Sequence, residues 1–304
     1  MTQGEIEKLT VKVSNIFSEL EIRIMTDIVR RIKENGFASA SVDWQISRLQ
    51  QLGMAEEDIR GWIQGALQAT DTEMDRIFSD EVYKQYYEQE HFFKLAGMQQ
   101  IPLEENIVLQ QLIDATKKQL QGEYQNFAGS MGFAIRNPVT GRIQSSPLME
   151  YYRSTMDQAV IDIKSGAFDY NTVLKRTVNQ MTASGLRYIE YDSGHRDRID
   201  VAARRAILTG FRQVESQIMN QVAEQLGTDT FEVSYHVGAR PSHQPWQGRV
   251  YSMAQLHSIC GLGEVTGLKG ANCYHDYKPF PPGSVRTYTD EQIQKMLDAE
   301  NTPK

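Results

Sequence analysis

The chain has 304 residues, enough for one large domain or two ordinary ones with a real core. It is 40% hydrophobic and 23% charged, and no apolar run approaches the ~20 residues of a membrane span. The net charge of −7 does not advertise nucleic-acid binding, but it is uneven: residues 1–130 hold 13 Lys+Arg against 21 Asp+Glu, residues 131–228 hold 12 against 10, so the middle is the better candidate for touching DNA. The polar, acidic start Met1-Thr-Gln-Gly-Glu is not expected to be a signal peptide. Two cysteines without an export signal argue for a reducing compartment and against a disulfide scaffold.

In chain order, residues 5–34 read as one amphipathic helix. Ile6, Leu9, Val13, Ile16, Leu20, Ile24, Ile28 and Ile32 recur at spacings of three and four, which places them on one stripe. Asn35-Gly36 is the stop signal. The stripe fits a bundle helix, and its near-heptad first half also fits docking onto a larger assembly. Ser41 caps a second helix expected to end at Gly53, and helices follow to about Gly97. The aromatics Tyr83, Tyr86, Tyr87, Phe92 and Phe93 close that region as a core cluster.

Pro102 breaks the run and another helix spans about 103–127. From Gly129 to Ser146 the pattern turns extended around Asn137-Pro-Val-Thr-Gly141, a hairpin or arm and a candidate domain boundary. Helices fit 147–165 and 170–184; Leu186–Tyr191 is a short strand with Asp192-Ser-Gly194 as its turn. A helix over about 196–226 carries the apolar stripe Ile199, Ala203, Ile207, Phe211, Val214 and Ile218. Arg198, Arg205 and Arg212 fall on its opposite face, either as contacts to phosphates or an acidic partner or as a solvated face. Thr230–His236 alternates as a strand, Arg249–Ser252 pairs with it, and Thr289 with Gln292 forms a capping box for a final helix.

The fold expected is therefore mainly α, with a long-helix N-terminal half and a small α+β C-terminal module. Three stretches are drawn: a helical docking region over 1–130, a helical middle over 131–228, and a loop-rich module over 229–304.

Chemistry concentrates in that last stretch. Residues 229–289 hold four of the six histidines and both cysteines. The run Gly238-Ala-Arg-Pro-Ser-His-Gln-Pro-Trp-Gln-Gly-Arg-Val-Tyr251 packs two prolines, two glycines, a Trp and two arginines into fourteen residues. Gly and Pro fix a backbone path, while Arg, His and Trp are side chains that bind. His236, His243, Cys260, Cys273 and His275 are all of zinc-ligand type. Their spacing suits no compact finger, so a zinc site requires tertiary folding to gather them; buried structural side chains are the plainer alternative.

His243 or His275 as a base beside a metal would make a nuclease, but no carboxylate sits at a convincing spacing. Cys273 and His275 are a weaker nucleophile–base pair, since residues two apart need not face each other. Trp246 is expected to anchor the module against Tyr251 and the strand at 230–236.

These runs resemble the type-two phage minor capsid protein family of tailed phages and prophages, a distant relation of the head-morphogenesis proteins typified by phage Mu. The resemblance is carried by Val233–Ser252, Asn272-Cys-Tyr-His275 and Pro279-Phe-Pro-Pro-Gly283, with Asp192-Ser-Gly-His195 and Ala203–Gly210 as further matches. It runs from about Met149 to Thr289. His236, Gly238, Arg240, Pro241, His243, Trp246, Gly248, Tyr251, Asn272, Cys273 and His275 are its motif residues; Tyr274 stands where the pattern usually has Arg.

The resemblance implies a non-enzymatic minor component of a phage head, located in the virion head and in the host bacterial cytoplasm during assembly. Its implied partners are the portal protein, major capsid or scaffold proteins, and packaged DNA, with Arg198, Arg205, Arg212, Arg240 and Arg249 as candidate contacts. No cofactor is implied, zinc being the one exception the residues leave open. The alternative is a metal-dependent nuclease or an effector enzyme delivered with the DNA.

Overall fold

The computed structural model describes residues 3–35, 42–136, 140–165, 168–190, 195–270 and 273–301. The stop at Gly36, the cap at Ser41, the turns at 137–139 and 192–194, and Asn272 of the motif lie outside them. The described residues are mainly helical, with two small antiparallel sheets. Chain contacts divide them into two compact units, each drawn from separated stretches: residues 1–9, 76–117 and 208–304, and residues 10–75 and 118–207.

Helix α1 (Gln3–Asn35) forms as its stripe predicts: Leu9, Val13, Leu20, Ile24, Ile28 and Ile32 are buried, with Phe17 rather than Ile16 completing the row. That face is thus used inside the chain. Helix α2 (Val42–Arg76) does not end at Gly53 but continues through it. One interior glycine costs about 1 kcal/mol relative to Ala. The buried row Ala55, Ile59, Ala66, Thr70 and Met74 carries the helix on regardless. A π-helical turn (Ile77–Glu81) and α3 (Val82–Tyr87) prolong it, and α4 (Glu90–Leu95) follows. Of the aromatic cluster, Tyr86 and Phe93 are core, while Tyr83 is exposed.

A short 3-10 turn (Leu103–Glu105) precedes α5 (Ile107–Gly129), where Asn106 Oδ1 accepts from the Leu109 amide at 3.1 Å. The expected hairpin exists: β1 (Met131–Arg136) pairs antiparallel with β2 (Ile143–Pro147). On its other side β1 pairs with β3 (Leu186–Glu190), and β3 pairs with β4 (His195–Arg198), giving the order β2-β1-β3-β4. Helices α6 (Leu148–Lys164) and α7 (Tyr170–Ser184) lie between β2 and β3 in sequence. Helix α8 (Ile199–Gln225) starts after β4, so Arg198 belongs to a strand and not to that helix. The whole predicted stripe of α8 is buried.

The second sheet has the order β6-β5-β7, with β5 (Thr230–Val233) between β6 (Val250–Ser252) and β7 (Tyr277–Pro279). The β5–β6 pair was legible; β7 and the short helix α9 (Met253–Ser258) were not. Helix α10 (Asp290–Asn301) opens on the expected box: the Thr289 amide donates to Gln292 Oε1 at 2.8 Å and the Gln292 amide to Thr289 Oγ1 at 3.3 Å.

The unit built on α1, α2 and the four-stranded sheet also holds a buried polar knot. Asp27 accepts from Arg31 Nε at 2.8 Å, Arg30 at 2.5 Å and the Tyr152 hydroxyl at 3.1 Å, and Arg31 reaches Asp58 at 2.8 Å. Asp27 and Arg31 side chains are each 4% exposed. Removing Asp27 leaves the buried Arg31 guanidinium short of one carboxylate, although it keeps Asp58, and leaves the Tyr152 hydroxyl without this acceptor. Asp27→Ala is therefore expected to lower unfolding free energy by about 3–5 kcal/mol. Arg60→Ala, ending an exposed pair with Glu56, should cost under ~1 kcal/mol. Denaturant titration of both variants measures the difference, and equal midpoints would refute it.

Candidate functional site

The site grows out of the three-stranded sheet. Beyond β5 the pairing with the β7 side continues one step: the Ser234 amide donates to the Asp276 carbonyl at 2.8 Å, and the Asp276 amide to Ser234 Oγ at 2.8 Å. This fixes His275 at the edge of the sheet. The loop from β5 to β6 turns on Gly238 and Gly248, both in the left-handed region, and a Cβ on Gly248 would stand 3.0 Å from Ile293. Its backbone closes at His243, whose amide donates to the Arg240 carbonyl at 2.8 Å.

A second loop, after α9, folds tightly upon itself. A Cβ on Gly267 would lie 2.0 Å from the Gly261 carbonyl oxygen, so only glycine admits that approach. The loop delivers the Thr266 carbonyl and, after Gly270, Cys273.

The two loops bring His243, Cys273 and His275 together, and all three are buried. His243 Nδ1 and His275 Nδ1 are 3.4 Å apart, and Cys273 Sγ lies 3.6 Å from His275 Nδ1. Cys273 and His275 thus do face each other, which their spacing alone left open. The outer ring nitrogens are committed elsewhere. His243 Nε2 is 2.8 Å from the Thr266 carbonyl, which only accepts, so Nε2 carries the proton.

Gln247 Oε1 accepts from the His236 amide at 3.0 Å, which orients the Gln247 side chain. His275 Nε2, 2.9 Å from that same oxygen, is therefore the donor. Both Nδ1 atoms are left as inward-facing lone pairs. Trp246, 5% exposed, covers them: its ring lies 4.5 Å from that of His243 and 4.8 Å from that of His275. These imidazoles are its ring partners.

Burial, with the neighbouring His236 and His243, pushes the His275 imidazole down to about 3, and burial lowers His243 and His236 as well. All three are held neutral. His236 is half-buried; its ring bonds the backbone of Tyr274, its Nε2 is buried without a partner, and it meets His275 edge-on at 5.0 Å. Cys260 is buried but does not join the cluster found among the described residues, and burial alone pushes its thiol up to about 12.

Next to the cluster lies a buried ion triad that sequence reasoning missed. Lys269 Nζ is 2.5 Å from Glu215 and 2.6 Å from Asp276, with all three side chains at most 8% exposed. Burial opposes charge on Lys269, but Asp276 and Glu215 outweigh it and raise its pKa. Lys269 adopts a positive φ of 63°, a conformation held here by the triad. Nothing in the spacing of these residues announces the triad; only the rarity of a Lys inside a Gly-rich turn hints at it.

The candidate arginines are engaged within the chain. Arg212 donates to the carbonyls of Gly270, at 2.9 Å, and Cys273, so it positions the Cys273 loop. Arg198 pairs with Glu21 at 3.1 Å and Arg205 with Asp197. Arg249 pairs with Asp290 at 3.0 Å, and Arg240 is half-buried. Pro241 and Gly238 shape the first loop, and Tyr251 lies in β6 opposite Phe231.

Compared with known proteins, the chain matches a family model described as phage minor capsid protein 2 over residues 1–304, further than the 149–289 stretch where the resemblance was legible. No curated protein and no solved structure matches it.

Two outcomes follow from this geometry. Trp246→Ala removes a buried indole from the roof of the cluster and is expected to cost about 3–5 kcal/mol, seen as a lower melting temperature. An unchanged melting temperature would show that the indole does not hold the module. Acid should also loosen the module. The unfolded chain takes up protons on its histidines below pH about 6.5, while folded His275 refuses them down to about 3. Stability is thus fully present above pH about 6.5 and falls as pH drops toward 3, by up to about 1.4 kcal/mol per pH unit per histidine. Unfolding curves across that range test the slope; a flat profile counts against neutral buried imidazoles.

Proposed function

The chain belongs to the phage minor capsid protein 2 family, and from that premise we propose that it is a non-enzymatic structural component of a tailed-phage or prophage head, placed beside the portal or the capsid interior during head assembly. The observation that carries the reading is the family match across residues 1–304. The proposed partners are the portal protein and major capsid or scaffold proteins, with packaged DNA as a further contact, and the proposed location is the virion head. Among the described residues no helix is long and apolar enough to cross a membrane.

The burial of the His/Cys cluster supports the same reading. His243, Cys273 and His275 are 2%, 1% and 4% exposed. A metal-dependent nuclease needs an open coordination position that substrate reaches, and a thiol nucleophile needs an approach path. A closed cluster serves architecture better than turnover.

The test is proteomic and enzymatic together. Quantitative mass spectrometry of particles separated into heads and tails should find the chain in heads, in fewer copies than the major capsid protein. Its restriction to tails, or its absence from particles, would overturn the structural role. Purified protein incubated with plasmid and single-stranded DNA plus Mg²⁺ or Mn²⁺ should leave both intact. Cleavage abolished by His243→Ala and by His275→Ala would overturn the non-catalytic part.

A further inference from the structure

We propose that His243 Nδ1, Cys273 Sγ and His275 Nδ1 bind one zinc ion as a closed structural site, with His236 taking the fourth position. The argument begins with hydrogen-bond inventory. The two Nδ1 lone pairs point at each other across 3.4 Å, and neither nitrogen has a proton to offer, because Nε2 of each ring donates outward to Thr266 and Gln247. The Cys273 thiol has one proton, enough to satisfy His275 Nδ1 at most. His243 Nδ1 would remain a buried acceptor facing another acceptor, an arrangement that costs free energy with nothing to offset it. A cation between the three atoms removes the conflict.

The distances choose the cation. Zinc binds imidazole nitrogen at about 2.0–2.1 Å and thiolate at about 2.3 Å in a tetrahedron, which sets nitrogen–nitrogen edges of about 3.4 Å and nitrogen–sulfur edges of about 3.6 Å. Two of the three observed edges, both at His275 Nδ1, are 3.4 Å and 3.6 Å; the third, from His243 Nδ1 to Cys273 Sγ, is bounded only by 4.8 Å and must close on binding. The three ligand atoms all lie within 4.8 Å of one another. A hard cation such as Mg²⁺ would want oxygen ligands in octahedral array, which a thiol and two imidazoles do not supply.

The outer shell is also of metal-site type. A ligating imidazole ordinarily donates its second N–H to a carbonyl or carboxylate, which fixes its tautomer. Here the Thr266 carbonyl and the Gln247 amide oxygen fill those roles, and Arg212 holds the Cys273 carbonyl. His236 stands outside the three-atom cluster and reaches the fourth position by a shift of its ring; two observations favour it, a buried Nε2 without a partner and a ring that abuts that of His275. Cys260 is left out, so the set differs from the simple sum of His and Cys in the module. With the ligands enclosed, the ion would tie the loop at 238–248 to the loop at 259–276 and perform no chemistry.

The full-length chain, purified under reducing conditions, is expected to hold one zinc per chain by plasma mass spectrometry. Replacement by Co(II) should give tetrahedral d–d bands with a sulfur-to-cobalt charge-transfer band. Cys273→Ser should lose the charge-transfer band, His275→Gln should lose metal uptake, and Cys260→Ser should keep both. His236→Gln should weaken uptake at least tenfold in a competition titration with a chromophoric chelator. Because ligand variants can fail to fold, the wild-type cobalt spectrum stands as an independent test. A wild-type chain that holds no zinc and takes up none on titration overturns the proposal, as does a charge-transfer band that Cys260→Ser abolishes. Unchanged uptake by His236→Gln removes His236 from the set.

Discussion

The side chain of Gln247 sets the constraint on which the C-terminal module depends. It is fully buried, and its amide oxygen accepts both the His236 backbone N–H and the His275 ring N–H. A buried loop must find partners for its polar atoms inside the protein. Gln247 does this for two segments at once, and in doing so fixes which nitrogen of His275 carries the proton. The tautomer, and with it everything the cluster can bind, is thus decided by a neutral glutamine that no motif argument would single out. Replacing it by a residue without the oxygen would free His275 to exchange tautomers and would orphan the His236 amide.

Around this point directed polar contacts supplement an apolar core that includes Phe231, Val233, Leu256, Leu268, Tyr277 and Ile293. Its strands are four, three and three residues long. The Lys269 triad and Arg212 take over where apolar area is small. Glu215 sits on α8 and Lys269 and Asp276 on the loop side, so the triad docks loop onto helix, while Tyr277 donates its hydroxyl to Asn220 of the same helix at 3.1 Å. Burying such groups is weak evidence of net stabilisation, because desolvation is large. What they supply is a single allowed arrangement: Lys269 Nζ meets both carboxylates at once, and any slip of the loop leaves a bare charge in the interior.

This division explains what was legible in the sequence. Helices α1 and α8 announce themselves because spacings of three and four reflect one buried stripe, and that stripe is set locally. The box at Thr289 and Gln292 and the alternation of Thr230–Val233 are equally local. Gly53 misled because a glycine is a weak break when the stripe continues beyond it. Arg198 misled because the pairing of His195–Arg198 with β3, a tertiary fact, overrode the helical pattern. Likewise β7 is three residues carrying a proline, too short to register as a strand until β5 is beside it. The cluster residues were all identified by type, yet type alone could not exclude Cys260 or place Gln247, since both outcomes depend on where two loops cross.

The separation of ligands along the chain, awkward for a compact finger, becomes the physical point of the cluster once the loops are seen. His243 lies in one loop and Cys273 and His275 close the other, so a bond from His243 to either of them closes a long segment of chain. Closing a longer segment restricts the unfolded chain more than closing a short one, although the gain grows only with the logarithm of length. A small sheet with two loop-rich connections is the kind of structure in which such a closure matters, because little apolar area is available to hold the loops otherwise. The same burial that keeps His275 neutral keeps water and substrates away, so the features that favour a staple are those that disfavour a catalyst. Architecture and chemistry here pull in one direction, and it is the direction expected of a part whose work is to keep its shape inside a larger assembly.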